Sequence, residues 1–223
     1  MTVATITMTS APTERTRSTA VLPFKHPFTA ICCGSTGSGK TLFVLRLVEN
    51  METMIEPPPK STVYYFMEYQ PVFDEYPQID FRQGVPTVRE LEEARDTLIV
   101  CDDMMMESND ALLNVFTRGS HHRRNSVIHI VQNLFNSNKN MRTMSLNAQY
   151  LVFFKSPRDS SQFVHLARQI FPHNSRYAVE AYKLATESPF SYLLLDLRNE
   201  QDELLRLRSN VFPGEAHTVY VPK

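Results

Sequence analysis

Hydrophobic positions along the chain fall into short unbroken runs separated by periodic or polar stretches. Phe28-Thr29-Ala30-Ile31-Cys32-Cys33 follows Pro23 and Pro27 and is apolar at nearly every position, the mark of a strand covered on both faces of a parallel sheet. Thr41 to Glu49 (TLFVLRLVE) is apolar on most sides, as suits a helix packed on such a sheet, and Pro57-Pro58-Pro59 prevents any continuation. Ser61 to Met67, Thr97 to Cys101, Ser126 to Gln132, Tyr150 to Phe154 and Tyr192 to Leu197 read as further strands, and Leu205 to Arg208 alternates like an edge strand. Thr87-Val88-Arg89-Glu90 is a capping box that opens a short helix running to about Arg95. Ser108 to Arg118 and Ser160 to Phe171 read as helices. Glu68 to Pro86, aromatic and punctuated by proline, and Phe135 to Arg142, polar and rich in asparagine, read as loops. Residues 1–20 lack apolar periodicity and are expected to form a disordered tail ahead of one domain over 21–223. Strands alternating with helices predict an α/β fold with a mostly parallel sheet.

A length of 223 residues suits a single domain with a full core and excludes a long multidomain enzyme. No apolar run approaches the roughly 20 residues of a membrane span, and the N-terminus lacks the apolar segment of a secretory signal, so neither membrane insertion nor secretion is expected. Cys32, Cys33 and Cys101 sit in apolar runs and read as buried thiols of an intracellular protein rather than a disulfide frame or a metal site. The net charge of −1 hides a strong asymmetry. Residues 21–115 carry 7 Lys/Arg against 15 Asp/Glu, whereas residues 116–176 carry 9 against 1 and five of the seven histidines. A contiguous basic block suits a polyanion partner; a solvated face balanced by acidic neighbours is the alternative.

Gly34-Ser35-Thr36-Gly37-Ser38-Gly39-Lys40-Thr41 matches G-x-x-x-x-G-K-[ST] at every fixed position and lies between a buried strand and a helix. Glycines let the backbone wrap a phosphate so that successive amides and the helix N-terminus face the anion. Lys40 would reach the β- and γ-phosphates of ATP, and Thr41 would hold Mg²⁺. Asp102 ends an apolar strand, where a Walker B carboxylate completes the Mg²⁺ sphere, and Asp103 stands where many such ATPases place the residue that orients attacking water. Both aspartates could instead cap the next helix. Gln132, at the end of the fourth strand, would sense the γ-phosphate or position water, unless Gln132-Asn133 is a plain turn. His121, His122 and His129 lack a cysteine or carboxylate at zinc spacing. A nucleotide kinase and a non-hydrolysing interaction module remain alternatives to an ATPase.

The blocks PFTAICCGSTGSGKT, LIVCDD, HHRRNSVIHIVQNLF and NMRTMSLNAQYLVFFKSPRD, followed by SYLLLDL, LLRLRSNVF and VYVPK, resemble the FtsK/HerA superfamily of DNA-translocating ATPases. Within it they are most similar to the genome-packaging ATPases of large DNA viruses and Polinton (Maverick) elements. The resemblance runs from about Pro23 to the C-terminus. It implies a RecA-like (ASCE) P-loop NTPase, a three-layer sandwich, hydrolysing ATP with Mg²⁺ in a homo-oligomeric ring such as a hexamer or pentamer. Its partners would be double-stranded DNA and capsid proteins, and its place the host cytoplasm or nucleus, or the virion. The family usually carries Glu where this chain has Asp103. It inserts an arginine finger from a neighbouring subunit, which maps here to Arg123 and Arg124; these could alternatively bind DNA phosphates or form salt bridges. The loop after Gln132 would bring Lys139 and Arg142 to the DNA backbone, unless it is merely an exposed turn.

Overall fold

Six parallel strands carry the centre of the molecule. In the computed structural model, which describes residues 1–6, 22–104, 110–119, 123–135, 139–156 and 161–222, β3 (Thr29–Cys33) lies between β8 (Ser126–Val131) and β9 (Tyr150–Phe154). Beyond β8 follow β7 (Thr97–Asp102), β5 (Ser61–Phe66) and β6 (Asp80–Gln83), all parallel. On the other flank β10 (Tyr192–Asp196), β11 (Leu207–Ser209), β12 (His217–Val221) and β1 (Thr2–Ile6) add in turn, each antiparallel to its neighbour. Among the described residues this makes ten strands in the order β1-β12-β11-β10-β9-β3-β8-β7-β5-β6, with β2 (Phe24–Lys25) and β4 (Ile55–Glu56) pairing separately.

Side-chain alternation splits the core into two layers. Ile31, Cys33, Ile99, Cys101, Val127 and Leu151 face one way. They are covered by α3 (Val88–Glu93), α4 (Asp110–Asn114), α5 (Lys139–Asn147), α6 (Ser161–Ile170) and α7 (Ser175–Ala185) through residues such as Leu91, Leu112, Met144, Phe163 and Ala181. Ala30, Cys32, Val100, Ile128 and Val152 face the other way, onto Phe43, Val44 and Leu47 of α1 (Lys40–Glu49), a layer that also holds Met54 of the short α2 (Met51–Met54). The result is the expected three-layer sandwich with a mostly parallel sheet. Among the described residues no helix is long and apolar enough to cross a membrane.

Several local expectations need correction. Thr2–Ile6, read as part of a structureless tail, form an edge strand, because four of the five are β-branched and β12 offers an open edge; residues 7–21 lie outside the described residues. The stretch Glu68 to Pro86 contains β6, which completes the sheet beside β5. Leu205–Arg208 is not an edge: β11 lies inside the sheet, and Arg208 is buried there against Asp196 (2.8 Å). The 108–118 helix begins, among described residues, at Asp110 and widens to a π-helical turn over Val115–Gly119, where the Thr117 hydroxyl donates to the Leu113 carbonyl (2.7 Å). The asparagine-rich loop gives way to α5 from Lys139 onward, because Met141, Met144 and Ala148 recur at helical spacing and are buried. Residues 120–122, which include His121 and His122, together with 136–138 and 157–160, lie outside the described residues.

Candidate nucleotide site

The phosphate loop leaves the C-terminal end of β3 and is anchored where the Gly34 amide donates to the Val131 carbonyl (3.3 Å). Gly34 has no room for a side chain: a Cβ there would lie 2.6 Å from Phe154 Cβ and 2.8 Å from Ser38 Oγ. Gly37 (φ +73°) and Gly39 (φ +103°) take left-handed backbone that other residues adopt only with strain. The loop runs through Ser35, Thr36 and Ser38 into α1, whose N-cap Gly39 supplies no side-chain cap and whose first turn holds no acidic residue. Its first amides therefore remain for an anion. Lys40 is nearly buried, and burial holds its ammonium below the usual lysine range. Its Nζ donates to the carbonyls of Gly34 (2.8 Å) and Ser35 (2.9 Å), so the charge lies across the loop.

Beside the loop stands Asp102, the last residue of β7. Thr41 Oγ1 donates to its Oδ2 (3.1 Å), and the buried Tyr64 hydroxyl donates to the same oxygen (2.6 Å). Burial pushes the Asp102 carboxyl above its ordinary range, and these two bonds oppose that shift. Tyr64 escaped the sequence reading. Its signal was the register that places Phe66 opposite Asp102, which puts Tyr64 two residues back on the same face. Asp103 sits just outside the strand at φ +50°, and its Oδ2 accepts from Gln132 Nε2 (2.8 Å). The structure thus brings Thr41, Asp102, Asp103 and Gln132 to one end of the sheet, where with Lys40 they line an open cleft of ≈ 800 Å³. Its other wall comes from Phe66 to Gln70 and Val85, with Phe190 at the rim.

Arg123 and Arg124 are not in this cleft. They precede β8, which runs parallel to β3, and so lie at the opposite end of the sheet. Arg124, at φ +52°, forms an ion pair with Asp96 (3.6 Å), which also binds Lys60 (3.1 Å) and His26 (3.0 Å). The same His26 hydrogen-bonds Ser126 Oγ (2.6 Å), tying the bases of β3, β7 and β8 together. Lys139 and Arg142 occupy the exposed face of α5, away from the buried Met141 and Met144, and the exposed Leu146 shares their face. Among the described residues no three His, Cys, Asp or Glu side chains converge as a metal cage.

A phosphate loop after a central strand, an inserted strand β8 between it and β7, and an acidic pair closing β7 together define a P-loop NTPase fold with the additional strand. Among solved structures the chain is similar to the genome packaging NTPase B204 from Sulfolobus turreted icosahedral virus 2. The complex of that protein with AMPPCP superposes with a TM-score of 0.53 at 13% identity, covering 78% of this chain and 94% of that one. The ATP-gammaS complex gives 0.52, also at 13% identity, with the same coverage. At such identity the likeness is one of fold. No family model matches the sequence, and no curated protein matches it.

Proposed function

We propose that this chain is a Mg²⁺-dependent ATPase of the FtsK/HerA type that works in a ring to drive double-stranded DNA into a viral capsid. The observation that carries the reading is the convergence, in one cleft, of an uncapped helix N-terminus, the Thr41–Asp102 oxygen pair and the Asp103–Gln132 pair. Thr41 Oγ1 and Asp102 suit Mg²⁺, which takes one or two protein oxygens and completes its shell with phosphate and water. When bound, the ion would neutralise charge on the β- and γ-phosphates. Lys40 would exchange the carbonyls of Gly34 and Ser35 for phosphate oxygens, while Gly37 and Gly39 would present amides to the same anion. Asp103 would accept the proton of the attacking water, with Gln132 fixing its carboxylate. A nucleotide kinase would close several arginines over the phosphates, yet among the described residues no arginine lines the cleft.

Arg123 and Arg124 cannot easily reach their own cleft from the far end of the sheet, whereas a head-to-tail neighbour could receive them, and such contacts close into rings when the rotation permits. Lys139 and Arg142 supply charge for DNA phosphates on an exposed helix face. The likeness in fold to a genome packaging NTPase supports this reading.

The test measures ATPase rate with and without double-stranded DNA, alongside mass in solution. Stimulation by DNA together with a ring mass supports the proposal; phosphoryl transfer to a nucleotide acceptor without DNA stimulation would replace it with a kinase, and negligible hydrolysis with an interaction module. Mixing Arg123→Ala/Arg124→Ala subunits with Lys40→Ala subunits should restore partial activity that neither has alone. A mixture that stays inactive while mixed rings form rules out fingers in trans.

A further inference from the structure

Phe190 contradicts the rules of its own turn. The segment Ser188-Pro189-Phe190-Ser191 joins α7 to β10 and is closed by the Ser191 amide on the Ser188 carbonyl (3.4 Å). Its third residue, Phe190, sits at φ +61°, where a turn with proline second ordinarily takes glycine. The side chain is 66% exposed, belongs to neither buried core layer, and has no ring or cation partner among the described residues. Backbone strain and an exposed aromatic ring are both unfavourable, and they coincide beside the phosphate loop: a Cβ built on Gly39 would lie 3.4 Å from both Phe190 Cβ and Cδ1. Leu42, half-exposed on the first turn of α1, lines the same cleft.

We infer that the Phe190 ring is the stacking platform for the base of the bound nucleoside triphosphate, an inference that rests on the nucleotide reading of the phosphate loop. The loop amides hold the phosphates, the nucleoside must leave the loop past its rim, and Phe190 presents a flat apolar face at that rim. Stacking reads ring area and leaves the hydrogen-bonding edge of the base unread, so purine triphosphates bind better than pyrimidine ones while ATP and GTP bind alike. The left-handed turn serves to hold the ring over Gly39 instead of letting it fold into the core.

Calorimetric titration of the full chain with AMPPCP and with inorganic tripolyphosphate, both with Mg²⁺, separates the base from the phosphates. Phe190→Ala should weaken AMPPCP by about tenfold or more, leave tripolyphosphate unchanged, and narrow the preference for purines over pyrimidines. Phe190→Tyr should restore parent affinity. Equal weakening of both ligands would mean that the ring only shapes the loop, and unchanged AMPPCP affinity with weakened DNA binding would give the ring to another partner; either result overturns the inference. Lys40→Ala marks the other failure: if it leaves AMPPCP and tripolyphosphate binding intact, the phosphate-loop reading itself is wrong.

Discussion

Replacing Tyr64 by phenylalanine removes one hydroxyl and nothing else from the wall behind the Thr41–Asp102 pair. That hydroxyl donates a 2.6 Å bond to Asp102 Oδ2 inside the core. A hydrogen bond to an ionised group contributes about 1.5–3 kcal/mol, and because Thr41 remains as a second donor we expect a loss of about 2 kcal/mol. For a domain of this length that lowers Tm by roughly 4–8 °C. Burial already raises the Asp102 carboxyl above its ordinary range, and losing the Tyr64 bond raises it further. A raised carboxylic acid keeps its proton longer in the native than in the unfolded chain, so stability is lost as pH rises through the native pKa. The deficit of Tyr64→Phe should therefore be largest at neutral and alkaline pH and should shrink toward the acid end, where a neutral carboxyl loses a weaker bond. Urea unfolding in EDTA across pH, in parent and Asp102→Asn backgrounds, measures this. The neutral amide should reduce the deficit by about 1 kcal/mol. A deficit below about 0.5 kcal/mol at pH 7.5, well under that expected for a charged acceptor, or one equal in both backgrounds, would refute the assignment of Tyr64 as the donor that holds Asp102.

Asp103→Asn should keep AMPPCP affinity and lose about 10²- to 10⁴-fold in turnover, read from steady-state ATPase, whereas near-normal turnover would return Asp103 to a capping role. Gln132→Ala, which frees the Asp103 carboxylate, should lower kcat with little change in KM. Gly34→Ala should destabilise by about 1–3 kcal/mol in thermal unfolding, since Phe154 Cβ cannot move from 2.6 Å without shifting β9. His129 is buried and held down to about 4 chiefly by that burial. Its contribution is complete above pH 6.5 and is lost as pH falls from there through about 4, at most about 3 kcal/mol, so His129→Leu should flatten that limb of the stability curve by close to one proton.

What could be read from the chain alone was what depends on neighbours in sequence. The strand, glycine turn and helix around Lys40 are contiguous, and the capping box of Thr87 and Glu90 forms within one turn, with both of its bonds present. The position of β8 between β3 and β7, and hence of Gln132 beside Asp103, depends on strand order, which local pattern does not carry. Tyr64 could be recognised as buried but not as a partner of Asp102, because that depends on inter-strand register. α5 was obscured by its polar composition: only Met141 and Met144 make its buried face, and its remaining positions read as loop. Phe190 gave one signal, a phenylalanine where the turn after Pro189 takes glycine, and its meaning needed the proximity of Gly39.

The pairing of β3 has a consequence for how the molecule assembles in time. Thr29 pairs with Val127 and Ala30 with Tyr150, so both flanks of the phosphate-loop strand come from about a hundred residues or more downstream. Loop closure must precede every one of those contacts, so this region is expected to form late in folding. Any fragment that stops before β8 leaves an apolar strand with no neighbour on either side and the phosphate loop without its anchor at the Val131 carbonyl. Late formation also separates the two rates: a ligand that needs β3, β7 and β8 together binds only after the barrier. AMPPCP should slow unfolding in proportion to its occupancy while the refolding rate stays where it was.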